Sequence, residues 1–119
     1  MKQIRLLIFF LFFPNTIKAQ KTVVNEYAAI DQKALSIPEN YKVQLIPSGC
    51  CGMAGSFGYE EEHYDVSMQI GELVLFPTVR QQPEDVIIAA PGTSCRHQIK
   101  DGTGRKAKHP IEILWEALN

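Results

Sequence analysis

The sequence predicts an α/β domain, a small parallel sheet with flanking helices and with cysteine loops at the C-terminal ends of the strands. Three observations predict it. Two β-favouring runs, Tyr41 to Ile46 and Val86 to Ala90, are separated by a segment long enough to cross over as a helix. Each run is followed by a glycine-bearing loop that opens a helical segment. All three cysteines lie in those two loops, Cys50 and Cys51 in the first and Cys95 in the second, at the sheet edge where α/β proteins place ligands.

Residues 22–36 carry Val23, Tyr27, Ile30, Ala34 and Leu35 close to helical spacing and stop before Pro38, so a short amphipathic helix is expected, followed by a turn at Pro38-Glu39-Asn40. Tyr41-Lys42-Val43-Gln44-Leu45-Ile46 alternates polar and apolar side chains and is closed by Pro47, the pattern of a strand. From Tyr59 to about Phe76 a single helix is expected. Its acidic start suits the positive end of the helix dipole, and Ile70, Leu73, Val74, Leu75 and Phe76 make its later part apolar on several faces, as in a buried helix. Pro77 and Gln81-Gln82-Pro83 should end it.

Val86-Ile87-Ile88-Ala89-Ala90 is the continuous apolar run of a central parallel strand. After Gly92 a helix is expected with Thr93 or Ser94 as its N-cap. Asp101-Gly102-Thr103-Gly104 reads as a turn, and Pro110 opens a last helix, Ile111 to Leu118, with Ile111, Leu114, Trp115 and Leu118 on one face. Strand, helix, strand in this order gives a right-handed crossover, parallel neighbouring strands and two cysteine loops at one edge.

With 119 residues the chain is one domain at most. A formal net charge of -1 excludes the strongly basic class of nucleic-acid binders. Glu60, Glu61, Glu62 and Asp65 form an acidic cluster; Arg96, Lys100, Arg105, Lys106 and Lys108 form a basic one, either a solvated face or a dock for an acidic partner. Three cysteines cannot be fully paired, and two of them are sequence neighbours that seldom bridge, a usage that fits a reducing compartment.

The N-terminus points elsewhere. Lys2 and Arg5 precede the apolar run Leu6 to Phe13, then come Pro14 and a cleavage-like Ala19-Gln20. This is the layout of a secretory signal peptide, and the run is too short for a transmembrane span. The expected organisation is a signal-like segment over residues 1–20 and the cysteine-bearing domain over residues 21–119, with export and a cytoplasmic location both open.

Thiolates at the start of a helix meet unpaired backbone N–H groups and the positive dipole end. Gathered soft sulfurs suggest iron-sulfur or zinc chemistry. Gly49, Gly52 and Gly55 would let backbone amides approach a bulky anionic cofactor and hydrogen-bond its sulfurs. No Gly-x-Gly-x-x-Gly and no Gly-Lys-Ser/Thr ending supports a nucleotide site. His97 and His109 are secondary metal candidates placed among basic residues, and His63 reads as solvated. Met53 and Met68 read as packing residues. Ser94, His97 and Asp101 could compose a triad only by chance, since no nucleophile elbow accompanies them.

The phrases Ser48-Gly49-Cys50-Cys51-Gly52-Met53-Ala54-Gly55-Ser56-Phe57-Gly58-Tyr59-Glu60 and Gly92-Thr93-Ser94-Cys95-Arg96-His97-Gln98-Ile99 carry a family resemblance. From about Lys33 to Asn119 the chain resembles the C-terminal cysteine-rich (CCG) domain of iron-sulfur, FAD-linked oxidoreductases. That group includes D-lactate dehydrogenase-like and glycolate-oxidase-like enzymes, with relatives in glycerol-3-phosphate dehydrogenase and heterodisulfide reductase subunits. The resemblance implies electron transfer by an iron-sulfur cluster with Cys50, Cys51 and Cys95 as ligands, and FAD on a missing domain or a partner. The implied partners are a flavin-containing subunit or a second cysteine-rich chain.

The chain departs from the family pattern. The cysteine expected upstream of the pair is absent from residues 21–49, and Gly92 stands where many relatives begin a C-x-x-C. Three cysteines remain where a cluster usually takes four. The expectation is a C-terminal piece of a larger oxidoreductase that does not turn over alone. The alternatives are a non-catalytic remnant, a zinc-binding or interaction module, or an exported domain with a Cys50–Cys95 or Cys51–Cys95 disulfide.

Overall fold

A computed structural model describes residues 4–8, 26–39 and 41–119. Its elements in chain order are β1 (Ile4–Ile8), α1 (Glu26–Leu35), β2 (Tyr41–Leu45), two 3-10 turns (Phe57–Tyr59 and Glu61–His63), α2 (Tyr64–Leu73), α3 (Leu75–Arg80), β3 (Ile87–Ala89), α4 (Thr93–Thr103), β4 (Ala107–Lys108) and α5 (Pro110–Leu118). The strands form one sheet in the order β2-β1-β3-β4, and every neighbouring pair is parallel. The expected α/β architecture is the observed one.

Period-2 alternation along β3 divides the core. On one face Ile88 joins Ile46, Cys51, Met53, Leu75, Phe76, Val79, Val86, Ala90, Ile99 and Ala107 under α2, α3 and α4. On the other, Ala89 joins Leu35, Leu45 and Ile113, where α1 meets α5. A continuously apolar strand is thus covered on both faces, as a central parallel strand must be.

Several expectations are corrected. β2 and β3 are parallel but not neighbours, because β1 lies between them with Leu6 opposite both Val43 and Ile87. Residues 4–8 of the signal-like segment thus form an inner strand, while the cleavage point at Ala19-Gln20 lies outside the described residues.

The single helix expected over Tyr59 to Phe76 is two 3-10 turns followed by α2 and α3, broken at Val74, where φ is -141° and ψ is -46°. Pro77 sits in the first turn of α3 rather than ending a helix, since the N–H it lacks would have had no intrahelical partner there. The break swings Phe76 into a slot between Gly71 and Gly102, either of which would strike the ring if it carried a Cβ. The turn expected at Asp101 to Gly104 is instead the end of α4, closed by Gly104 in the left-handed region with φ 74°.

Helix starts also differ in detail. Gly92, not Thr93 or Ser94, is the N-cap of α4, and it caps without a side chain. At α5, the His109 ring accepts from the Ile111 N–H at 3.1 Å while Glu112 accepts from the His109 N–H at 2.7 Å, a reciprocal cap completed by Pro110. His109 is therefore a capping residue. Much of the basic cluster is also structural. Arg105 donates to the carbonyls of Gln82 and Val86, and Lys108 pairs with Glu116 at 2.7 Å.

Candidate functional site

β2 and β3 run parallel, so the loops that follow them leave the sheet at the same edge. Cys51 and Cys95, 44 positions apart, meet there with their sulfurs 3.2 Å apart. Cys51 is buried, 5% exposed, and Cys95 in the first turn of α4 is half-buried. Cys50 is exposed, and its sulfur accepts the Gly52 N–H at 3.3 Å.

Adjacent residues on an irregular loop aim their side chains apart, and here one sulfur enters the core while its neighbour faces solvent. The structure therefore brings two of the three predicted ligands together. Among the described residues, the donors that all lie within 4.8 Å of one another are those of Glu60, Glu62 and His63 rather than the cysteine triad. His63 itself stacks on Phe57, with 4.0 Å between ring centroids, and its Nδ1 lies 2.8 Å from Glu60.

The pair is electrically asymmetric. The Cys95 hydrogen bond lowers the Cys51 pKa to about 6; burial opposes this, and the backbone N–H groups of Met53, Cys51 and Ala54 add to it. The same contact, together with burial and the charge of Cys51, pushes Cys95 far above the ordinary thiol range. These shifts favour the thiolate at Cys51 and the S–H at Cys95, while the 3.2 Å contact by itself fits either sulfur as donor.

A pH dependence follows from these shifts. The Cys51 pKa is lowered on folding from 9.0 to about 6, so its stabilising contribution is complete above pH 9 and is lost as pH falls toward 6. Cys95, raised on folding, contributes below pH 9 and loses its contribution above that. Under reducing conditions, the stability advantage of the wild type over Cys51→Ser should therefore widen as pH rises from 6 to 9. Urea unfolding of both proteins across that range checks it, and a constant difference would refute the thiolate assignment.

Gly52 makes the loop possible. It has φ 94°, and its Cα packs against the Ser67 carbonyl of α2. Gly55, with φ 74°, and Gly49 are exposed, with nothing in contact range of an added Cβ. Of the three glycines expected to approach a cofactor, Gly52 is thus committed to packing, while Gly49 and Gly55 face open space.

Sequence reasoning passed over Gln98. It is 3% exposed, and its amide nitrogen lies 3.0 Å from the Cys51 carbonyl, 3.0 Å from the Ser67 carbonyl and 2.9 Å from the Ser67 hydroxyl. This side chain pins the cysteine loop to α2 and α4 at once. The available signal was its position three residues after Cys95, on the inward face of α4. Gln98→Leu would leave buried carbonyls without donors, and stability should fall by about 1–3 kcal/mol in urea unfolding.

Other predicted candidates play supporting parts. Arg96 donates to the carbonyls of Ala90 at 2.9 Å and Pro91 at 2.7 Å, fixing the exit of β3. His97 faces outward, 2.6 Å from the Tyr59 hydroxyl, and joins the first 3-10 turn to α4. Met53 is buried in the core and Met68 packs against it, as expected of packing residues.

The fold and site define a parallel α/β domain with two cysteine sulfurs in contact at its sheet edge. No protein-family model matches the chain, and no solved structure matches it. Among curated proteins, it is 35% identical over 77 residues to D-2-hydroxyglutarate dehydrogenase of Escherichia coli (strain K12), covering 65% of this chain and 8% of that protein. The same enzyme of Pantoea ananatis (strain AJ13355) is 36% identical over 77 residues, with 65% and 7% covered. A subunit of the anaerobic glycerol-3-phosphate dehydrogenase of Escherichia coli (strain K12) is 34% identical over 77 residues, with 65% and 19% covered. The chain thus shares a segment with dehydrogenases and spans less than a fifth of the length of these relatives.

Proposed function

We propose that this chain is a cysteine-rich electron-transfer domain of the kind found at the C-terminal end of iron-sulfur, FAD-linked oxidoreductases, working beside a flavin-bearing domain or subunit rather than alone. The observation that carries the reading is the meeting of Cys51 and Cys95 at 3.2 Å within a segment shared with dehydrogenases. One of those relatives is named as a subunit, which supports a reading in which this domain works within an assembly.

The donor set fits a metal-thiolate centre. Two thiolates on one tetrahedral ion, with metal-sulfur bonds of about 2.3 Å, sit roughly 3.7 Å apart, close to the observed separation. Cys51 and Cys95 would hold such a group, Cys50 would reach it by turning its exposed side chain, and a second chain would supply the fourth ligand. An iron-sulfur cluster supplies one-electron transfer when bound.

The protein's own contribution is positional. Gln98 and Gly52 hold the Cys51 loop, Arg96 holds the exit of β3, and the amides of Met53 and Ala54 stabilise negative charge on sulfur. That charge stabilisation favours the deprotonated form of Cys51, the form that ligates a metal.

The test is iron, sulfide and zinc content with an EPR spectrum, on the full chain purified without oxygen. Stoichiometric iron and sulfide with a reducible signal are expected, and Cys51→Ser should lose the metal entirely. Zinc alone would make the domain a structural or interaction module. Unchanged metal content in Cys51→Ser would remove the cysteines from the site.

A further inference from the structure

We infer that Cys51 and Cys95 also constitute a reversible two-electron dithiol/disulfide couple, oxidised by small peroxides, with Cys50 standing outside it. Geometry carries this. The two sulfurs are already 3.2 Å apart, inside ordinary sulfur contact, and a further contraction of about 1 Å reaches bonding distance. Cys51 lies on the loop that leaves the sheet after β2, and Cys95 is held in the first turn of α4 at the same edge. Cys50 is excluded because its sulfur is turned to solvent and bound to the Gly52 amide, and because adjacent cysteines seldom bridge.

Access distinguishes the chemistry. Cys51 is 5% exposed, so a bulky disulfide cannot reach it in line, whereas hydrogen peroxide is little larger than water. The Cys51 sulfur attacks one peroxide oxygen, the O–O bond breaks, and hydroxide leaves, giving a Cys51 sulfenic acid. The Cys95 sulfur then attacks the Cys51 sulfur; the S–S bond forms, the S–O bond breaks, and the departing hydroxide takes up the Cys95 proton as water. Two thiols and one peroxide give one disulfide and two waters. A dithiol reductant reverses the change by attacking the half-buried Cys95 sulfur, which releases Cys51 as thiolate, and its own two sulfurs become the disulfide.

Such a couple goes beyond the metal-centre reading and does not depend on it. The two would compete for the same sulfurs, since a disulfide withdraws two of the three candidate ligands. Bound metal would in turn protect the pair from peroxide.

The experiment uses the full chain, metal-free, as wild type, Cys50→Ser and Cys95→Ser. Each is treated with hydrogen peroxide, alkylated, digested and analysed by mass spectrometry, then re-reduced with dithiothreitol. Two of three thiols should disappear from the wild type, and Cys50→Ser should lose both of its thiols into one linked peptide joining Cys51 to Cys95, fully recovered on reduction. Cys95→Ser should instead stop at an oxidised single cysteine.

Retention of free thiols in Cys50→Ser, or oxidation of Cys51 beyond sulfenic acid without a link, would overturn the couple. So would intermolecular disulfides through Cys50 as the main product in the wild type. Iron and sulfide reconstitution on a parallel sample separates the two readings. A chain that takes up a cluster but forms no link defeats the couple alone, and one that forms the link but takes up no metal defeats the metal centre alone.

Discussion

A chain beginning at residue 21 is expected not to fold cooperatively. β1 pairs with β2 over five register positions and with β3 over three, so its removal opens the middle of the sheet rather than trimming an edge. Each lost backbone hydrogen bond is worth about 0.5–1.5 kcal/mol, and each buried group left unpaired costs about 1–3 kcal/mol. Several such terms together match or exceed a net stability of about 5–15 kcal/mol.

The same deletion removes the whole signal-like segment, residues 1–20, and ends one residue past the cleavage-like Ala19-Gln20 bond, so circular dichroism and thermal melting of residues 21–119 compare the exported reading with the inner-strand one directly. Leu6→Pro provides a second, full-length probe. It removes a ladder N–H and blocks a position that faces both β2 and β3, and it should be comparably damaging. A sharp melt at an unchanged temperature in both variants would show that residues 4–8 are not part of the folded sheet.

Gly52→Ala is expected to cost about 2–5 kcal/mol and to dismantle the thiol pair. An alanine at φ 94° is strained by about 1–3 kcal/mol, and its Cβ would run into the Ser67 backbone, which cannot swing aside as a flexible side chain could. The loop must then lift away from α2, carrying Cys51 off Cys95 and breaking the hold of Gln98. Urea unfolding reads the first effect, and the pH dependence of thiolate absorbance reads the second, as the titration near 6 moves back toward 9. Gly49→Ala is the control. Gly49 is exposed and an added Cβ would meet no contact there, so stability should stay within about 0.5 kcal/mol of the wild type. A wild-type titration in Gly52→Ala would show that the loop does not depend on this contact.

Residue order and composition were enough to settle the class of the fold and the sheet edge at which the two cysteine loops emerge. Val86 to Ala90 is apolar at every position because β3 is covered on both faces, and that composition survives any detail of packing. Parallel strands followed by loops place Cys51 and Cys95 at one edge from topology alone.

The remainder needed the packed molecule. The run from Ile4 to Ile8 is ambiguous in one dimension, because a short inner strand and the opening of a signal peptide have similar composition. Only the gap between β2 and β3 gives it a place. β4, two residues long, is too short to carry a periodicity. The division of labour between Cys50 and Cys51 rests on the dihedral angles of one loop, set by Gly52 against Ser67 and by a buried Gln98. Local pattern reports which residues want to be buried; which sulfur meets which depends on contacts between segments tens of residues apart, and no local pattern encodes them.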